Sequence, residues 1–158
     1  METAMEALKQ LPLLAFPPGA TILEQGGGEG RVYFLAEGTV EVLKDHVPIA
    51  EVSDPGAVFG EMAVLLKIPH TATVRAVSES RLHVIEEPEE FLKRFPETAL
   101  YVARILAKRL DSLNRYLVDV KSQFKEYDDH IHLVDEVLES MMARHPREIT
   151  RRDPGEYD

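Results

Sequence analysis

The sequence predicts a mainly β protein: an antiparallel β-roll of jelly-roll type, followed by a long C-terminal helix. Three observations predict it. Short β-type runs alternate with turn residues at regular intervals between Leu13 and Val84. No glycine or proline interrupts the chain between Pro96 and His145. Along that same stretch the apolar residues recur at alternating spacings of four and three. The chain therefore divides into a roll over residues 1–95, a helical segment over 96–145 and a polar tail over 146–158, expected to be disordered.

Taken in order, residues 4–11 suit one or two helical turns closed off by Pro12. Strand-forming runs then follow at 20–24, 32–36, 39–44, 49–52, 73–76 and 81–85, and a further strand ends at Phe59. Turn chemistry separates them at Gly26-Gly27-Gly28-Glu29-Gly30, Lys44-Asp45-His46 and Ser53-Asp54-Pro55-Gly56. The glycine run reads as a flexible hairpin loop. A phosphate-cradling P-loop would need a Lys-Ser/Thr pair after it, and none is there.

Pro96 stands where a proline favours the first turn of a helix. From Ala99 through Leu106, Leu110, Leu113, Leu117 and Val120 to Met141 the apolar seam runs for about six heptads. About 43 residues of helix span roughly 64 Å, more than a roll of this size can cover. The seam calls for another helix, and a parallel coiled-coil homodimer supplies one. Tyr127-Asp128-Asp129-His130 is a weak point, because aspartates prefer N-caps. The unbroken register favours one continuous helix; a second helix starting at Asp128 or Asp129 and folding back is the alternative. Beyond that point Leu133, Val137 and Met142 widen the apolar face, as for a four-helix contact or a docking surface.

Composition narrows the function. With a formal net charge of −10 over 158 residues, the chain is a poor match for nucleic acid. No apolar run approaches the length of a membrane span, and the start has no signal-peptide pattern. Cysteine is absent, which excludes disulfides and thiolate chemistry and fits a reducing cytoplasm. His130 and His132 point to different sides of a helix and cannot share a metal ion. His46, His83 and His145 have no serine or carboxylate at catalytic spacing. The roll has a superficial likeness to metal-binding double-stranded β-helix enzymes, but their clustered H-x-H…E…H ligands are missing. No enzyme, no metal and no bound cofactor are expected.

Residues 59–76, FGEMAVLLKIPHTATVRA, carry the most information. Gly60 lets backbone approach a ligand, and 61–66 suit a short helix whose first N–H groups offer an anion site. Glu61, in its first turn, can accept hydrogen bonds from vicinal hydroxyls. An anion cradle beside a sugar acceptor describes a nucleotide. The run resembles the phosphate-binding cassette of the cyclic nucleotide-binding domain family, roughly F-G-E-(L/M)-(A/S)-L-L, a spacer, then P-R-(S/T/A)-A-(S/T)-V. It departs at one residue, His70, where the family has arginine. Residues 16–26, FPPGATILEQG, and 32–42, VYFLAEGTVEV, are similar to the family's preceding strands, so the resemblance runs from Phe16 to Phe95.

That resemblance implies a ligand, cyclic AMP or cyclic GMP, and roles for particular residues. Phe59 and Gly60 open the cassette, and Glu61 holds the ribose 2′-hydroxyl. Backbone N–H groups near Met62 and Ala63 meet the cyclic phosphate, with Thr71 adding a hydroxyl. Leu113 and Asn114 occupy the stretch of helix that contacts the base. His70 replaces a permanently charged, two-pronged donor by one N–H on a group with an ordinary pKa near 6.5. A charge-assisted hydrogen bond contributes about 1.5–3 kcal/mol, so its loss implies roughly tenfold to a hundredfold weaker binding. Either the site still binds, or the roll survives as a ligand-blind scaffold acting through its helix. Transcription factors of the family carry a DNA-binding domain after the helix. Here only PREITRRDPGEYD follows His145, and DNA binding is not expected. The expectation is a stand-alone, cytoplasmic, homodimeric cyclic nucleotide sensor signalling to another protein.

Overall fold

The structure, a computed structural model, describes residues 3–123 and 128–143. A short helix α1 (Ala4–Lys9) precedes strands β1 (Leu13–Phe16), β2 (Thr21–Leu23), β3 (Val32–Glu37), β4 (Val40–Lys44), β5 (Val47–Val52) and β6 (Val58–Phe59). Helix α2 (Glu61–Leu66) is followed by β7 (Thr73–Ala76), β8 (Ser80–Ile85), α3 (Pro88–Arg94), α4 (Pro96–Gln123) and α5 (Asp128–Met142). The strands form two antiparallel four-stranded sheets, ordered β1-β8-β3-β6 and β2-β7-β4-β5. Strands far apart in sequence pair in each, which is the antiparallel β-roll that the turn spacing predicts.

Both sheets feed one apolar core, with Tyr33, Leu35, Phe59, Leu82 and Val84 from the first sheet and Ile22, Leu23, Val40, Val74 and Ala76 from the second. Alternation explains most of these strands: in β7 the buried Val74 and Ala76 alternate with the half-buried Thr73 and Arg75. Strand β3 breaks the rule, with four consecutive buried residues from Val32 to Leu35. It lies inside its sheet and is covered on both faces. Phe34, turned away from the roll core, stacks near Tyr101 at 6.2 Å between ring centroids. The Tyr101 hydroxyl donates to the Gly56 carbonyl at 2.8 Å, tying the start of α4 to the β5–β6 turn.

The compact units divide within α4, between Ile105 and Leu106. In the first unit, α1 is closed by a capping box: Thr3 Oγ1 accepts from the Glu6 amide and Glu6 Oε2 accepts from the Thr3 amide. Two elements differ from the sequence reading. Residues 13–16 pair with β8 ahead of the strand expected at 20–24. Residues 88–94, between the last expected strand and the long helix, form helix α3. Its signals are Pro88 in the first turn, Glu89 and Glu90 beside it, and Lys93 and Arg94 in the last turn.

In the second unit, α4 carries the expected seam, and Leu110 and Leu113 are 43% and 44% exposed. The continuous helix expected to join it to α5 crosses residues 124–127, which lie outside the described residues, as does the tail. One contact overturns the continuous reading. Lys121 Nζ pairs with Asp135 Oδ1, although fourteen positions along an unbroken helix would separate them by about 21 Å. The chain turns back, and α5 begins at Asp128, the residue type that competes with helix interior by capping.

Candidate functional site

Helix α2 starts without a side-chain cap. Gly60 is its N-cap in the left-handed region, at φ 88°, and has no side chain with which to cap it. A Cβ at position 60 would lie 2.5 Å from the Arg31 carbonyl oxygen, so the site requires glycine for space as well as for φ. Lys67, also left-handed, closes the helix by donating its N–H to the Ala63 carbonyl.

Around this start stand the residues singled out from the sequence. Glu61 is 5% exposed and Ala63 8%. Phe59 is buried in the roll core, while Met62 points outward and Thr71 is half-buried. His70 is only 4% exposed, and its Nε2 is buried without a hydrogen-bond partner among the described residues. An unpaired buried polar atom is costly. Leu113 and Asn114 belong to the second compact unit; there Leu113 is exposed, and the Asn114 Oδ1 is also buried without a partner among the described residues.

The first glycines of the run read as a flexible hairpin are held firmly. The Gly26 amide donates to the His70 carbonyl at 2.8 Å, and the His70 amide donates to the Gly27 carbonyl at 2.9 Å. Next to them the Gln25 amide donates to Thr73 Oγ1 at 3.0 Å. The Gln25 side chain exchanges two hydrogen bonds with Asp45, and Lys44 Nζ donates to the Thr71 carbonyl at 2.6 Å. Backbone pairing of this kind leaves no side-chain signature, which is why the sequence reading missed it.

Behind α2, a small cavity is lined by Glu61, Val64 and Leu65 of α2, Val32 and Ile85 of the sheet, Leu92 of α3 and Val102 of α4. The cassette helix thus rests on the two elements that follow the roll. Arg31, whose carbonyl faces Gly60, has its guanidinium pKa raised by a hydrogen bond with Tyr33 and by the charge of Glu86, its ion-pair partner at 3.2 Å.

Among the described residues no group of three or more histidine or carboxylate side chains is placed to hold a metal. His132 instead faces Glu136 one turn along, at 3.4 Å. No described helix is long and apolar enough to cross a membrane.

Comparison with known proteins agrees with this architecture. The profile of the cyclic nucleotide-binding domain matches residues 13–95, just over half of the chain. Human potassium/sodium hyperpolarization-activated cyclic nucleotide-gated channel 2 is 31% identical over 115 residues, 72% of this chain and 13% of the channel. The CRP-like cAMP-activated global transcriptional regulator of Mycobacterium tuberculosis is 26% identical over 125 residues, 75% of this chain and 56% of the regulator. Among solved structures, the catabolite activator protein of Thermus thermophilus superposes with a TM-score of 0.61 at 25% identity, covering 85% of this chain and 62% of that one. The chain therefore spans less than two thirds of each of these relatives. With the profile matching from β1 to the end of α3, the chain belongs to the cyclic nucleotide-binding domain family.

Proposed function

We propose that the chain is a homodimeric sensor of a cyclic nucleotide, cyclic AMP or cyclic GMP, that passes its state to a partner protein. The observation that carries this reading is the buried, unpartnered Nε2 of His70 beside the uncapped start of α2 and the buried Glu61. In this reading Glu61 accepts from the ribose 2′-hydroxyl. The amides of Met62 and Ala63, the Nε2–H of His70 and the Thr71 hydroxyl surround the cyclic phosphate. Phe59 and Gly60 fix where α2 begins, and Leu113 and Asn114 meet the base. The small cavity shared by α2, Leu92 and Val102 gives the output route: a shift of α2 on its ligand must be accommodated by α3 and α4. The partner is a protein rather than DNA, because a net charge of −10 repels phosphates. The absence of cysteine suits the cytoplasm.

Isothermal titration calorimetry with both nucleotides tests this reading. Saturable heat with cyclic AMP or cyclic GMP is expected from the wild type; no heat from either, for wild type and His70→Arg alike, rejects the pocket. A ligand-blind adaptor is the second reading, favoured by the loss of the guanidinium at position 70 and by the exposed apolar residues of α4. A melting temperature that does not move with either nucleotide selects it.

A further inference from the structure

We propose that Gly27, on the loop between β2 and β3, is itself a residue of the ligand site: it keeps open one side of the approach to the His70 imidazole. This inference rests on the nucleotide reading above. The main chain of His70 is clamped to the glycine loop by the paired bonds Gly26 N–H to His70 carbonyl and His70 N–H to Gly27 carbonyl. The ring of His70 stands between two glycines. A methyl added at Gly60 would lie 3.4 Å from Cε1, and one added at Gly27 would lie 3.7 Å from Cδ2.

Those two ring carbons are the neighbours of Nε2, so the nitrogen edge is flanked by Gly60 on one side and Gly27 on the other. Nε2 is also the buried ring atom without a partner. An acceptor oxygen that reaches it comes close to two residues that lack side chains. One belongs to the cassette; the other lies on a loop far earlier in the chain, fixed by Gln25 to Thr73 and Asp45. A methyl added at Gly27 would rest in van der Waals contact with Cδ2, the ring carbon next to Nε2.

The test compares cyclic AMP binding by the full chain in four forms: wild type, Gly27→Ala, His70→Ala and the double variant. Gly28→Ala is the control, since a methyl there meets nothing within 4 Å. At position 27 the added methyl lies 3.0 Å from the Glu24 carbonyl oxygen, which calls for a shift of a few tenths of an ångström. Gly27→Ala is expected to weaken binding roughly tenfold or more, the worth of one charge-assisted hydrogen bond. The double variant is expected to bind no more weakly than His70→Ala alone. Independent, multiplying losses, or an equal loss in Gly28→Ala, overturn the assignment.

If Gly27→Ala does not fold, Gln25→Ala takes its place. It removes the loop's two bonds to Asp45 and must also weaken binding. Unchanged affinity there counts against the assignment. A wild type that takes up no cyclic AMP is a failure of the nucleotide reading, and the ring then decides about Gly27. The Cδ2–H resonance of His70 is expected to move in Gly27→Ala and to stay in Gly28→Ala. A resonance that stays in both overturns the assignment of Gly27 to the His70 slot.

Discussion

A guanidinium at position 70 would bring a permanent charge and two parallel donors to a phosphate, where imidazole brings one N–H. His70→Arg is therefore expected to tighten nucleotide binding about tenfold at pH 7.5. Calorimetry on the wild type and the arginine variant reads the difference. At Glu87 the sign is that of a strained carboxylate. Its pKa is raised above the ordinary 4.5, first by a hydrogen bond with Glu90 and then by that carboxylate's charge. Stability from this pair is present below the ordinary value and is lost as pH rises through the raised one. Glu87→Gln keeps a donor toward Glu90 without the repulsion. It is expected to raise the melting temperature by about a degree at pH 7 and to change nothing below pH 3. Glu61 and His70 were legible because side-chain identity marks them. Gly27 was not, because its part is played by main chain and by the absence of a Cβ.

Among the elements, α2 depends most on one residue. At φ 88°, with the Arg31 carbonyl 2.5 Å from any added Cβ, Gly60 cannot be replaced without moving β6 or the chain before β3. Gly60→Ala is expected to destabilise the fold by about 1–3 kcal/mol, read from urea denaturation. Most strands were legible from alternation and turn chemistry, and even β3, buried at four consecutive residues, stood out as a continuous apolar run. Helix α3 was not, although its proline and charges sit where a seven-residue helix wants them. Pro96, only two residues beyond its end, reads as the start of the next helix and hides the one before it. The reversal before α5 was legible only as the alternative, in the aspartates at 128 and 129, for a related reason. The four–three spacing continues through residues 124–127, and periodicity alone cannot tell one long helix from two helices in register. The Lys121–Asp135 pair decides it.

At the scale of the whole molecule, the roll closes its own core, and in the second unit part of the apolar seam of α4 is exposed. Leu110 and Leu113 are each more than two fifths exposed, on the line that the heptad spacing marks. In the proposed homodimer a second copy of the chain would cover such a seam by placing its own leucines opposite. Leu110→Glu with Leu113→Glu is expected to convert a dimer into a monomer in sedimentation equilibrium while leaving the β-roll's circular dichroism unchanged. A wild type that already sediments as a monomer contradicts the dimer. Dimer formation and ligand binding are separable claims, since the groups proposed to hold the sugar and phosphate all lie in the first compact unit. The claim on which the functional account turns is that the buried imidazole nitrogen takes its missing partner from the ligand. Nitrogen-15 spectroscopy of the His70 ring during titration with cyclic AMP and cyclic GMP reads this most directly. The account predicts that Nε2 moves to a hydrogen-bonded donor shift, saturating with the nucleotide. An Nε2 resonance that stays in place while either nucleotide reaches millimolar concentration contradicts it.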